Sequence, residues 1–143
     1  MALPRGRVNF AVGRLNTVVI LERENQVQED VGIEDVDAAI RDLDGIHRTL
    51  LLIELTSGPT LTIGGGPENF VVECSLTETE RWCVINATSA TGASRSIDLV
   101  VGGQLVDYPA RVCVGLDAAL DAAHVFVNEN GNLSPRQYWS QET

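Results

Sequence analysis

Three cysteines, Cys74, Cys83 and Cys113, and two histidines, His47 and His124, are the side chains best suited to nucleophilic or metal chemistry. A thiolate activated by a neighbouring imidazole, with Asp107 or Asp121 orienting the ring, would make a covalent catalyst. The settings of these residues argue against it. Each cysteine sits in a strand-like apolar run, and free cysteine is among the most buried residue types. No local pattern of a known thiol enzyme surrounds any of them. Their spacing also fits no closed zinc knuckle. His47 falls in a loop after a helix, and His124 lies on a helix flank, where an imidazole more often borders a core than serves catalysis.

The run Gly64-Gly65-Gly66 could cradle a phosphate only if a helix and a lysine followed it. Pro67 and a strand from Phe70 follow instead, so a flexible or bulged turn is expected. Paired carboxylates are plentiful: Glu78 with Glu80, Asp35 with Asp37, Asp42 with Asp44, Asp117 with Asp121. A glycosidase would need two of them facing across a cleft. In helices such acids usually form a solvated face. Metalloprotease, nucleophile-elbow, dinucleotide and calcium-loop patterns are all missing, so no catalytic residue, cofactor or metal is expected.

The elements that must hold these residues follow from periodicity. Residues 18–21 form a β-branched apolar run, with 8–12 as a partner strand before it. The polar stretch 22–30, including Asn25-Gln26, is expected to end that strand. From Ile33 the period changes: Ile33, Val36, Ile40 and Leu43 share a helical face, with Glu34, Asp35, Asp37, Arg41, Asp42 and Asp44 outside it. Early acids suit a helix N-terminus, and Gly45 is expected to close the C-terminal end. Residues 50–55 and 61–63 flank a hairpin connection, Thr56-Ser57-Gly58-Pro59-Thr60. Phe70, Val72, Cys74 and Leu76 then alternate with Val71, Glu73, Ser75 and Thr77 as a half-buried strand. Residues 81–87 give another strand, 89–95 a small-residue loop, 97–101 and 105–114 further strands around Gly102-Gly103. Leu116, Ala119, Leu120, Ala123 and Val127 define a second helix, stopped by Gly131, and a strand-like tail ends the chain. The fold class is α+β: a mainly antiparallel sheet with two amphipathic helices packed on one face.

The aromatics divide. Phe10, Phe70, Phe126 and Trp82 are expected in the core. Tyr108, in a loop between Asp107 and Pro109, and the terminal Tyr138-Trp139 are as well suited to contact with a partner.

Composition bounds the whole. The chain has 143 residues with 10 basic and 20 acidic side chains, a formal charge of −10, and every basic residue is arginine. This length predicts one domain, residues 1–143. The charge excludes non-specific binding to nucleic acid or an anionic membrane and favours a basic protein partner. An odd number of widely spaced cysteines predicts reduced thiols in a cytoplasm. The first residues lack the apolar core of a signal peptide, so Asn86-Ala87-Thr88 is expected to be a chance sequon.

One order of elements is distinctive. A small helix with alternating acids leads to a strand-rich middle with a Gly-Gly turn. Then comes Val114-Gly115-Leu116-Asp117-Ala118-Ala119-Leu120-Asp121-Ala122-Ala123, followed by Asn130-Gly131 and a tail ending Tyr138-Trp139. From Val31 to Trp139 the chain resembles the bacterial immunity proteins of polymorphic toxin systems, the family often found beside deaminase-type toxins. The resemblance implies a non-enzymatic inhibitor that binds and neutralises a cognate toxin. It carries over no catalytic or binding residue. Toxins acting on nucleic acid present basic grooves that an acidic inhibitor can fill. The acids most available for such binding are Glu78 and Glu80 in a turn, Asp107 beside Tyr108, and the helical set Glu34, Asp35 and Asp37. Two other readings stay open: a small ligand-binding or enzymatic domain, and an assembly subunit that pairs through an exposed strand edge.

Overall fold

A computed structural model describes residues 17–24, 26–86 and 95–142, together with 2–3 and 5–6 at the N-terminus. The strand expected at 8–12, the core position of Phe10, Asn25 and nearly all of the loop at 89–95 lie outside the described residues. Two short strands, β1 (Ala2–Leu3) and β2 (Arg5–Gly6), pair with each other. They are followed by β3 (Val19–Arg23), β4 (Gln26–Glu29), helix α1 (Ile33–Arg41), β5 (Leu50–Leu55), β6 (Thr60–Gly65), β7 (Phe70–Ser75) and β8 (Arg81–Ile85). The chain ends with β9 (Ser96–Val101), β10 (Gln104–Pro109), a 3-10 turn, helix α2 (Leu116–Asn128) and β11 (Tyr138–Glu142).

Seven strands form one sheet in the order β11-β8-β7-β6-β5-β3-β4, each pair antiparallel. Period-two alternation sends Leu51, Ile53, Leu61, Ile63, Phe70, Val72 and Cys74 to one face, where all are buried. Both helices cover that face. Helix α1 contributes Val36, Ala39 and Ile40, and α2 contributes Ala119, Leu120, Ala123 and Phe126 to the same core. Each fully buried aliphatic side chain here stabilises the fold by roughly 1.5–3 kcal/mol. This is the α+β arrangement expected from the sequence.

Two helix ends differ in how they stop. Helix α2 closes with Asn130 in the left-handed region at φ 59°, and the Gly131 amide returns to the Phe126 carbonyl at 2.7 Å. That is a Schellman closure with asparagine at its left-handed position. Helix α1 instead ends at Arg41, with the Asp42 amide donating to Ala38 O at 3.0 Å. Gly45 lies in the loop beyond and does not terminate the helix. Three successive amides in that loop, of Ile46, His47 and Arg48, donate to Asp44 Oδ1 at 2.8–2.9 Å. They hold the Asp44 carboxyl down at about 2.

The opposite face of the sheet, here the outer face, is half covered. Among the described residues β9 and β10 pair with each other alone, and they run across β6, β7 and β8. Leu99 is buried beneath the hairpin, and the Gly103 amide fixes its tip by donating to Thr49 Oγ1 at 2.9 Å. The glycine run makes this crossing feasible. A Cβ on Gly64 would lie 2.6 Å from Val101 Cγ1, and one on Gly66, at φ 95°, would collide with the Leu43 carbonyl. Close approach on both sides of the sheet, more than flexibility, explains Gly64-Gly65-Gly66.

Three expectations need correction. The stretch after β3 does not end the sheet: β4 pairs with β3 as an edge strand, all four of its residues exposed. Tyr108 lies within β10 opposite Ile97, not in a loop, and its half-buried ring faces the sheet. Trp82 is half-buried at the rim rather than in the core, and its indole donates to Glu80 Oε2 at 3.2 Å. Among the described residues no helix is long and apolar enough to cross a membrane.

Candidate functional site

All three thiols, the candidate nucleophiles of the sequence, are buried. Desolvation, with smaller contributions from nearby carboxylates, pushes Cys74 up to about 12 and Cys83 up to about 11. Desolvation raises Cys113 as well. An activated nucleophile needs a shift in the other direction. His124 is engaged elsewhere: its Nε2 lies 3.1 Å from Asp37 Oδ2, joining α2 to α1. Among the described residues no three His, Cys, Asp or Glu side chains gather as metal ligands.

The acids singled out in the sequence fall in three places. Asp35 accepts the Gly32 amide at 3.1 Å and closes the start of α1. Asp37 takes Arg41 Nε at 2.6 Å and His124 on its other oxygen. The Arg41 hydrogen bond holds its carboxyl below the usual range against a smaller desolvation effect, and His124 assists. Glu80 accepts the Trp82 indole, while Glu34 and Glu78 are exposed. Glu78 and Glu80 lie in or beside the turn that joins β7 to β8, whereas Glu34, Asp35 and Asp37 lie on α1, which packs on β5 and α2. Asp107 lies on the far side of the sheet from α1, exposed on β10 directly opposite Asp98 of β9. These residues do not converge on one site. Asp121 is likewise structural. Burial alone would raise its carboxyl, but bonds from Ser134, Gln137 and Arg136 outweigh burial and hold it below its ordinary value. That cluster ties the tail to α2, and Ser134 O in turn accepts the Trp139 indole at 3.0 Å.

A carboxylate pair not evident in the sequence lies under the hairpin. Glu73 of β7 and Glu142 of β11 share a hydrogen bond, with Arg81 at 3.6 and 4.0 Å from them. The shared bond, desolvation and the Glu73 charge raise Glu142 to about 7, and Arg81 partly offsets them. Both acids line a cavity of about 300 Å³ with Cys83, Val101 and Tyr108. That volume is at the lower end for small-molecule sites.

Among the described residues nothing crosses the other half of the outer face, and it has a regular pattern. Three strands each contribute an aliphatic residue, one intervening residue, then a glutamate: Ile20 and Glu22 on β3, Val27 and Glu29 on β4, Leu52 and Glu54 on β5. Antiparallel register turns this repeat into a checkerboard. One row reads Glu29, Ile20, Glu54; the next reads Val27, Glu22, Leu52. Glu22 is diagonal to both other carboxylates, a separation of roughly 7–8 Å. None of the three has an ion-pair partner among the described residues. The one arginine of β3, Arg23, pairs with Asp42 at 3.5 Å and also lines the cleft beside Glu22. Val27 is 60% exposed, and none of the six is buried. The face leads into a cleft of about 400 Å³ at the hairpin tip, lined in part by Leu50, Ile46, His47 and Gly102. Its sequence signal is the repeated aliphatic-x-Glu triplet, visible only once β4 is recognised as a strand.

The architecture defines the class: an α+β protein whose two helices back one sheet face and whose other face is half covered by a hairpin among the described residues. The chain belongs to the family Immunity protein Imm1, whose model matches residues 30–141. No curated protein matches it.

Proposed function

We propose that the chain is the protective half of a toxin–immunity pair, binding its cognate toxin in the cytoplasm and blocking it without chemistry of its own. The observation that carries this reading is membership of the Imm1 family over residues 30–141. The charge supports a particular kind of toxin. At −10, the chain attracts a protein with a basic groove, the kind that handles nucleic acid, and filling that groove excludes substrate. Protonated, desolvated thiols and carboxylates committed to helix caps and bridges fit a protein that acts through its surface. Exposed Glu34, Glu78 and Asp107 contribute to long-range attraction, whichever face makes final contact.

The test is protection. Expressed together with the toxin domain encoded by the adjacent gene, the chain should restore growth and co-purify with the toxin at equal stoichiometry. Association should slow about tenfold or more from low to high salt, since steering is screened. Growth arrest unrelieved by the chain would overturn the reading, and association insensitive to salt would remove its acidic-surface part.

A further inference from the structure

We infer that the open half of the outer face, β4-β3-β5, is the surface on which the toxin docks, seating a segment that presents arginines or lysines around an apolar side chain. The inference rests on the immunity reading above and adds the location and chemistry of the contact.

Three features lead there. Glu22, Glu29 and Glu54 gather on one face, and none of them forms an ion pair among the described residues. Like charges at this spacing disfavour the sheet, so a cationic partner supplies what the fold lacks. Ile20, Val27 and Leu52 stand between them, giving desolvated contact area beside each carboxylate, the combination that makes interfacial charge pairs effective. β4 is also the end strand of the sheet, its residues all exposed and its outer edge unpaired among the described residues. A second copy of this chain is a poor occupant, because it would bring the same three carboxylates against each other.

A charge-matched comparison tests the inference. Glu22→Lys with Glu54→Lys changes the open face by the same charge as Asp98→Lys with Asp107→Lys changes the outside of the hairpin. Binding to the purified, catalytically inactivated toxin domain from the adjacent gene is measured for both, with thermal unfolding as a check. The open-face pair should weaken binding about a hundredfold or more and the hairpin pair by less than about fivefold. Should the lysine pair unfold the chain, Glu22→Gln with Glu54→Gln should still weaken binding about tenfold. Equal losses at both places would reduce the effect to net charge and overturn the location. Normal binding by folded open-face variants would also overturn it while leaving the immunity reading intact. A dimer that these variants dissolve, with toxin binding unchanged, would assign the face to self-association. A wild-type chain that does not bind the toxin would remove both readings.

Discussion

The two halves of the outer sheet face belong to one antiparallel sheet and both carry glutamates, yet they handle charge in opposite ways. Under the β9–β10 hairpin, Glu73 and Glu142 share a proton-mediated contact beside Arg81, and Tyr108 and Val101 close over them. On β4-β3-β5, Glu22, Glu29 and Glu54 have aliphatic cross-strand neighbours and form no ion pair among the described residues. In the first half, the fold itself completes the chemistry. In the second, the same kind of residue is left incomplete, although like-charge neighbours lower stability and gain nothing within the chain. The contrast separates acids that serve the fold from acids available to a partner, which a count of charges could not do.

The largest expected difference between the halves is in packing. Gly64→Val puts a branched side chain where Val101 already sits, so the hairpin must lift. We expect a loss of about 1–3 kcal/mol in urea denaturation, the usual range for overpacking. Toxin affinity of the folded fraction should stay within about threefold of wild type, since β4-β3-β5 is untouched. A large affinity loss in a stable Gly64→Val protein would show that the halves act as one.

A smaller effect concerns pH. Glu142 is raised from an ordinary 4.5 to about 7, so the folded state holds its proton where the unfolded state has released it. Its contribution to stability is therefore present below about 4.5 and is lost as pH rises through about 7. Glu142→Gln should flatten this part of the stability profile and make the chain the more stable at pH values above it. Because Glu142 is partly exposed, the gain should stay below about 1 kcal/mol. A profile unchanged by the substitution would contradict the shared contact with Glu73.

The smallest effect has the opposite functional sign. Glu22→Gln relieves repulsion from Glu29 and Glu54 and should stabilise the free protein by a few tenths of a kcal/mol at low salt. The gain should fade at high salt, where the repulsion is screened. Destabilisation would show that Glu22 serves the fold, and the contrast between the halves would lose its basis.

Much of the fold was legible because burial writes a period into the sequence. Ile33, Val36 and Ile40 marked α1, and Phe70, Val72 and Cys74 marked β7. β4 was not legible: all four residues of Gln26-Val27-Gln28-Glu29 are exposed, so no alternation of burial records it. Missing β4 hid the checkerboard, since a three-strand pattern cannot be read from two strands. The helical acids misled for a different reason. Asp37 reads as solvent-facing along α1, but its partner His124 comes from α2, and helix–helix register is not a local property. Glu73 and Glu142 were invisible as a pair for the same reason, because the alignment of β7, β8 and β11 brings them together.

Hydrogen–deuterium exchange of the chain, alone and bound to its toxin domain, tests the central claim most directly. Binding at the open face predicts new protection in residues 19–29 and 50–54, with the hairpin at 96–109 exchanging as in the free protein. Protection confined to the hairpin, or to the helices on the other side of the sheet, would contradict it.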